Sequence, residues 1–408
     1  MTGSAPLLWQ KTPETGHFIN SVACSADGTR VIAGTFLHTY PKSDAYATTF
    51  AKRRGLQADI HLDTTGMYHT YCWDYQGNLL WSVLSSTYEG VYWVAMSADG
   101  NVAASGGWYS QSPLNGYIAA YDAGTGAPLM PNYPTDSRVN QVALSANGTV
   151  LAAASNRLHL FINTGSGFPG TPWEWTPPPS STGDDVNVIA CGVSADGQYV
   201  CAGTSSGKVI LFKISSGVVT QTSPTWPTTD DGSIVHSLAM ATNGAGFAAG
   251  MSAGQFGYFD CASFLTSGTP TWVNTLSGNA GAVYGVGIAG DAGTVSVVVN
   301  TGDTGEVAAY SNAGVQAAQL WLRDLPANPN ETSIDGRGIW VATADGHPDG
   351  TPGHFTLFNA SSGDQVWQFT TGNMSWPIQL SENGRVCVAG SDDGSVYFFA
   401  PLLLCPEE

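Results

Sequence analysis

Eight glycine-containing turns recur along this 408-residue chain, each opened by a small residue. They start at Ser25, Ser97, Ser145, Ser194, Ala241, Ala289, Ser333 and Ser381. They read SADG, SADG, SANG, SADG, ATNG, AGDAG, SIDG and SENG, at spacings of 72, 48, 49, 47, 48, 44 and 48 residues. A unit of this length holds about four short strands and cannot bury its apolar face alone, so it must stack on its neighbours. Radial stacking of such units predicts an all-β chain, an eight-bladed β-propeller of four-stranded antiparallel blades.

The last repeat, Trp376 to Ala400, shows the unit. Apolar residues alternate on both sides of Asn383-Gly384, and a second turn lies at Asp392-Asp393-Gly394. Alternation flanking Asn-Gly is a strong hairpin signal, because both turn positions favour positive φ. These features give strands A, B and C. A fourth strand, D, follows elsewhere and often carries a tryptophan, as at Leu79-Leu80-Trp81, Thr271-Trp272, Leu320-Trp321 and Val366-Trp367. Seven of the eight D strands are expected to contain one.

No D strand follows the last repeat, whereas Pro6-Leu7-Leu8-Trp9 near the start reads as a D strand without a blade. Residues 6–10 are therefore expected to complete the last blade and close the ring, which removes the exposed sheet edge. No linker or charge block interrupts the repeat, so residues 1–408 read as one domain. One segment, Asp324 to Ser333, fits poorly as an inner strand and leaves the seventh blade in question.

The run Ser391-Asp392-Asp393-Gly394-Ser395-Val396-Tyr397-Phe398-Phe399 resembles the third-strand region of WD40 repeats. Trp73-Asp74 and Tyr121-Asp122 look like degenerate forms of that family's dipeptide. The spacing from Gly77 to Trp81, Gly126 to Met130 and Gly363 to Trp367 resembles the tryptophan-docking repeats of quinoprotein propellers. Both resemblances are architectural, and such motifs serve unrelated activities. The quinoprotein resemblance implies PQQ held above the channel with a calcium or lanthanide ion, often beside adjacent cysteines. This chain has no adjacent cysteine pair and lacks the large insertions that build that chamber.

A net charge of −18 with only 13 Lys and Arg argues against nucleic acid and anionic membranes as partners. No apolar run approaches the roughly 18 to 20 residues that span a bilayer. Charged residues are 11% of the chain, against roughly 25% in ordinary domains. A surface so rich in Ser, Thr, Asn and Gly leans towards an extracellular or periplasmic protein. Seven cysteines without CxxC or Cys/His metal spacing point instead to the cytoplasm. Cys24, Cys191, Cys201 and Cys387 occupy strand positions that suit small buried hydrophobes.

Function is expected where loops grow long on a rigid scaffold. The A-to-B turns are short, but the B-to-C loops of three repeats are elaborated. The first carries an insertion at about 37–67, the second Gly107 to Gly116 with Trp108 and Tyr109, and the seventh Asp345 to His354 with His347. In a closed ring these fall on one side of one face, across blades 7, 8, 1 and 2. The insertion reads as a short helix over Ser43 to Gln57, ending in the basic cluster Lys52, Arg53 and Arg54. Trp108, Tyr109, the basic cluster, His347 and His354 are thus the candidate partner contacts. A solvated helix end, whose cations favour the C-terminal dipole, is the first reading of the basic cluster, and an anion or carboxylate contact is the second.

A second candidate site comes from strand A. Counting back five residues from the turns gives Asn20, Tyr92, Asn140, Ile189, His236, Tyr284 and Trp376. If strand A lines the channel, these residues ring its mouth and suit a small polar ligand. No cofactor is expected. The pairs Asp184-Asp185, Asp230-Asp231 and Asp392-Asp393 are candidates for calcium, although turn chemistry already explains them. No HExxH motif is present. The expected function is a non-enzymatic binding or assembly module that engages a protein or glycan through the loop-rich face. The alternative is a propeller enzyme, a hydrolase, lyase or PQQ-type oxidoreductase, working at the channel mouth with His236 or a loop histidine as base.

Overall fold

Each SADG-type turn is held by its own side chains, which explains why Ser and Asp or Asn recur. The Ser25 hydroxyl donates to Asp27 Oδ1 at 2.6 Å and accepts the Arg30 amide at 3.1 Å. Ser97, Ser145, Ser194 and Ser381 repeat this arrangement with Asp99, Asn147, Asp196 and Asn383. The computed structural model describes residues 4–37, 66–87, 89–111, 114–165, 167–227, 233–276, 281–301, 304–312, 314–347 and 351–400. The expected helix at 43–57 and the cluster Lys52, Arg53 and Arg54 lie outside the described residues.

Eight antiparallel blades of four strands follow one another around a central channel. Their inner A strands are Phe18–Cys24, Gly90–Met96, Gln141–Leu144, Val188–Val193, Val235–Met240, Val283–Ile288, Pro329–Ile334 and Ser375–Leu380. Blades 1 and 2 are further joined by a bridge between Phe36 and Gly90. Leu7–Lys11 pairs with Val396–Phe399 and supplies the outer strand of the last blade, closing the ring as expected.

The seventh blade is regular. Asp324 belongs to the D strand of blade 6, Ala317–Leu325, and the inner strand of blade 7 begins at Pro329. Its turn starts at Asp335, not Ser333. The Asp335 amide bonds to Trp340 O, and its carboxylate accepts the amides of Ile339 and Trp340 at 2.7 Å, in place of the usual serine hydroxyl. In blade 6, Ala292 takes the glycine position at φ 65°.

The outer-strand tryptophans dock each blade onto the next. Trp81 donates its indole N–H to Ala123 O at 2.9 Å, and Trp321 does the same to Ala360 O at 2.7 Å. Trp9 donates to Tyr75 O at 3.0 Å across the closure. Only six D strands contain a tryptophan, because those of blades 2 and 4 are Tyr133–Thr135 and Val218–Thr222. Trp226 lies just beyond the latter and bridges to Val209. One short helix, α1 (Cys261–Ser267), sits between strands C and D of blade 5; Asp260 caps it and Gly268 ends it in the left-handed region. The described cysteines, Cys24, Cys72, Cys191, Cys201, Cys261 and Cys387, are all buried and unpaired by disulfides.

The short A-to-B turns are laced together by main-chain hydrogen bonds. Examples are Ala26 N–H to Ala98 O, Ala146 to Ala195, Gly290 to Gly336, Gly336 to Glu382 and Asn383 back to Ala26. Glu382 also reaches from blade 8 past Gly290 and Gly336 to accept from the Thr242 hydroxyl of blade 5. That face is a tied rim.

Candidate functional site: the channel mouth and the loop-rich rim

The channel mouth is built by a repeated β-bulge. Pairing of strands A and B skips one residue at Asn20, Tyr92, Ile189, His236, Tyr284 and Asn330, and skips Trp376 with Pro377 in the last blade. A bulge re-aims the extra residue away from the alternation of the strand. Here it brings Tyr92, Ile189, His236, Tyr284 and Trp376 to one cavity of about 70 Å³, which Asn140, just before the unbulged inner strand of blade 3, also lines. Asn20 instead gives its amide to Tyr92 O, tying blade 1 to blade 2. Asn140 likewise donates to Val188 O at 2.8 Å.

Below the mouth the channel widens to a segment of about 290 Å³, and a third of about 230 Å³ leads to the tied rim. The mouth is therefore the narrow end. His236 Nε2 lies 3.1 Å from the Ser252 hydroxyl, and its ring meets Tyr284 edge-on with centroids 5.2 Å apart. The Arg138 guanidinium lies 4.1 Å from the centroid of the Tyr92 ring and donates to Asn140 Oδ1 at 3.3 Å.

Two residues at this mouth escape a reading by turn spacing. Asn330 takes the bulge position in blade 7 and donates to Ser375 O at 2.7 Å. Glu331 follows it into the cavity, where Oε2 accepts the Ile378 amide at 3.2 Å. Both were hidden because the blade 7 turn is displaced by two residues. Counting back five residues from Asp335 gives Asn330, and Glu331 is the next residue.

On the loop-rich rim the candidates separate. Trp108 is 7% exposed and packs inward, which corrects its place as a surface contact, while the neighbouring Tyr109 is 44% exposed. They lie on the long hairpin of blade 2, Val102–Gln111 with Leu114–Asp122. His354 is held by Asp345, whose Oδ1 is 2.8 Å from His354 Nδ1 and also accepts the His354 amide. Burial raises the Asp345 carboxyl above its ordinary value, partly offset by that bond, and the same bond raises His354. His347 meets Asn328 at 3.3 Å. Among the described residues no Ser, Thr or Cys bonds to His354.

Beside the insertion, Glu14 contacts both His17 and His69 and accepts from the Tyr71 hydroxyl at 2.7 Å. Burial works to raise its carboxyl, but bonds from His17, Tyr71 and Thr35 outweigh it and hold the group below its ordinary value. Among the described residues no three His, Cys, Asp or Glu side chains are placed to hold a metal ion. Asp393 is used by its own turn, accepting from the Ser395 amide at 2.9 Å and the Tyr397 hydroxyl. Asp230 and Asp231 lie outside the described residues.

No family model and no curated protein sequence matches this chain. Solved structures do. The chain is similar to the Dos1 propeller, with a TM-score of 0.67 at 14% identity over 98% of this chain and 96% of that one. It is similar to Chaetomium thermophilum Sqt1, solved bound to the N-terminus of ribosomal protein L10, with a TM-score of 0.67 at 12% identity over 97% and 100%. The Myceliophteria thermophila Cps50 (Swd1) propeller domain gives a TM-score of 0.53 at 12% identity over 75% and 95%. These likenesses establish a WD40-like β-propeller architecture.

Proposed function

We propose that this chain is a non-enzymatic protein-binding module whose contact face is the loop-rich rim over blades 7, 8, 1 and 2. The observation that carries the reading is the asymmetry of the two faces. One face is tied by main-chain bonds between successive turns, while the other raises the blade 2 hairpin with Tyr109 exposed at 44%. Exposed aromatic rings on a rigid scaffold are effective anchors for a partner. The structural neighbour Sqt1, solved with a ribosomal protein segment, lends support by analogy of fold.

Affinity capture with matched baits tests the reading. Partners retained by the wild type should be lost with Tyr109→Asp and kept with Val218→Asp, which alters a D strand away from the rim. Equal retention by both variants would place the contact elsewhere.

A further inference from the structure

We propose that the channel mouth is a receptor for one cationic head group, a guanidinium or ammonium presented by an Arg or Lys side chain or by a free amine. Glu331 carries the argument. Glu331 lines both the mouth cavity and the wider channel segment beneath it, so it stands where the two meet. It receives one backbone amide, from Ile378. Burial pushes its carboxyl up to about 8, against the lowering effect of that amide. A carboxyl held this way is mostly protonated near neutral pH, and a cation bound beside it would favour release of the proton and pair with the carboxylate.

The walls suit the same guest. Tyr92, Trp93, Tyr284 and Trp376 line the cavity with Glu331, and aromatic faces attract cations most strongly when both are desolvated. The protein already uses one of these rings in this way, since Arg138 lies 4.1 Å from the Tyr92 centroid. Asn140 and His236 add polar edges at the same mouth. About 70 Å³ is roughly the room of two water molecules, enough for a planar guanidinium or an ammonium and too little for a sugar ring. The net charge of −18 raises the local concentration of cations around the molecule. The inference stands apart from the rim contact, which uses Tyr109 and not the channel.

Titration with the capped tripeptides acetyl-Gly-Arg-Gly-amide and acetyl-Gly-Lys-Gly-amide tests it, followed by calorimetry or amide NMR shifts. The citrulline tripeptide serves as the neutral isostere of arginine. Saturable binding of a cationic peptide is expected, weakened at least about tenfold for citrulline and for Glu331→Gln. Equal binding of guanidinium chloride or methylammonium would support the receptor and name a free cation as its guest. Absence of saturation, or equal affinity for arginine and citrulline, overturns the proposal. The citrulline comparison uses only the wild-type protein, so it stands even if Glu331→Gln misfolds. Because no partner protein is needed, failure here is distinct from failure of the rim reading.

Discussion

Trp81 of the first blade and Ala123 of the second are joined by an indole N–H to carbonyl bond of 2.9 Å. Gly126 lies beneath the indole ring, where an added Cβ would come within 2.8 Å of it. The same geometry recurs at Trp321 with Ala360 and Gly363. At Gly77, Gly126 and Gly363 the glycine before the outer strand thus serves the tryptophan of the blade before it.

Trp81→Ala should destabilise the protein by about 3 to 5 kcal/mol, the usual cost of emptying a buried indole site. Gly126→Ala should also destabilise it, since φ at 126 is 74° and the ring blocks the methyl. Urea denaturation of both variants measures this. An unchanged midpoint for Gly126→Ala would mean that the indole moves freely and the docking contributes little.

Removing residues up to Lys11 takes away Trp9 and uncovers the strand Val396–Phe399. An open edge seeks another strand, so the truncated protein should lose cooperativity and associate. Light scattering with size exclusion reads the association directly. A truncated chain that stays monomeric with an unchanged midpoint would show that ring closure contributes nothing to stability.

Ala292 occupies a left-handed position that glycine fills in the other blades. Non-glycine residues pay roughly 1 to 2 kcal/mol there, and glycine returns part of that in chain entropy. Ala292→Gly should therefore stabilise the protein by up to about 1 kcal/mol. A lower melting temperature would mean that the buried Ala292 methyl outweighs the strain.

The Asp345–His354 pair gives a pH signature. Asp345 raises the folded-state value of His354 above its ordinary 6.5. The stabilisation is therefore complete below that pH and is lost as pH climbs through the raised value. The stability gap between wild type and His354→Gln should narrow as pH rises from about 6 to about 9. A gap that is constant with pH would show that His354 contributes by packing and neutral hydrogen bonding alone.

Much of this molecule is local and so legible in the chain. The Ser-x-Asp/Asn-Gly turns close on their own side chains, and the strands alternate on either side of them. The stray D strand at Leu7–Lys11 has one place to go once eight repeats are counted. Neither the rim contact nor the channel site is legible to the same degree. Burial of Trp108 against exposure of Tyr109 depends on how the blade 2 hairpin twists, and its letters carry no trace of that.

The sequence alone determined the period, the number of blades and the way the ring closes, because those follow from hydrogen bonds and apolar contacts within a few dozen residues. Only the tertiary structure decided which side chains meet. Bulges on the inner strands turn Tyr92, Ile189, His236, Tyr284, Asn330 and Trp376 into the channel mouth. The displaced turn of blade 7 places Asn330 and Glu331 beside Tyr284 and Trp376. The desolvation that raises the Glu331 carboxyl arises only when the blades close around it. That environment has no counterpart along the chain, where Glu331 is one acid among many.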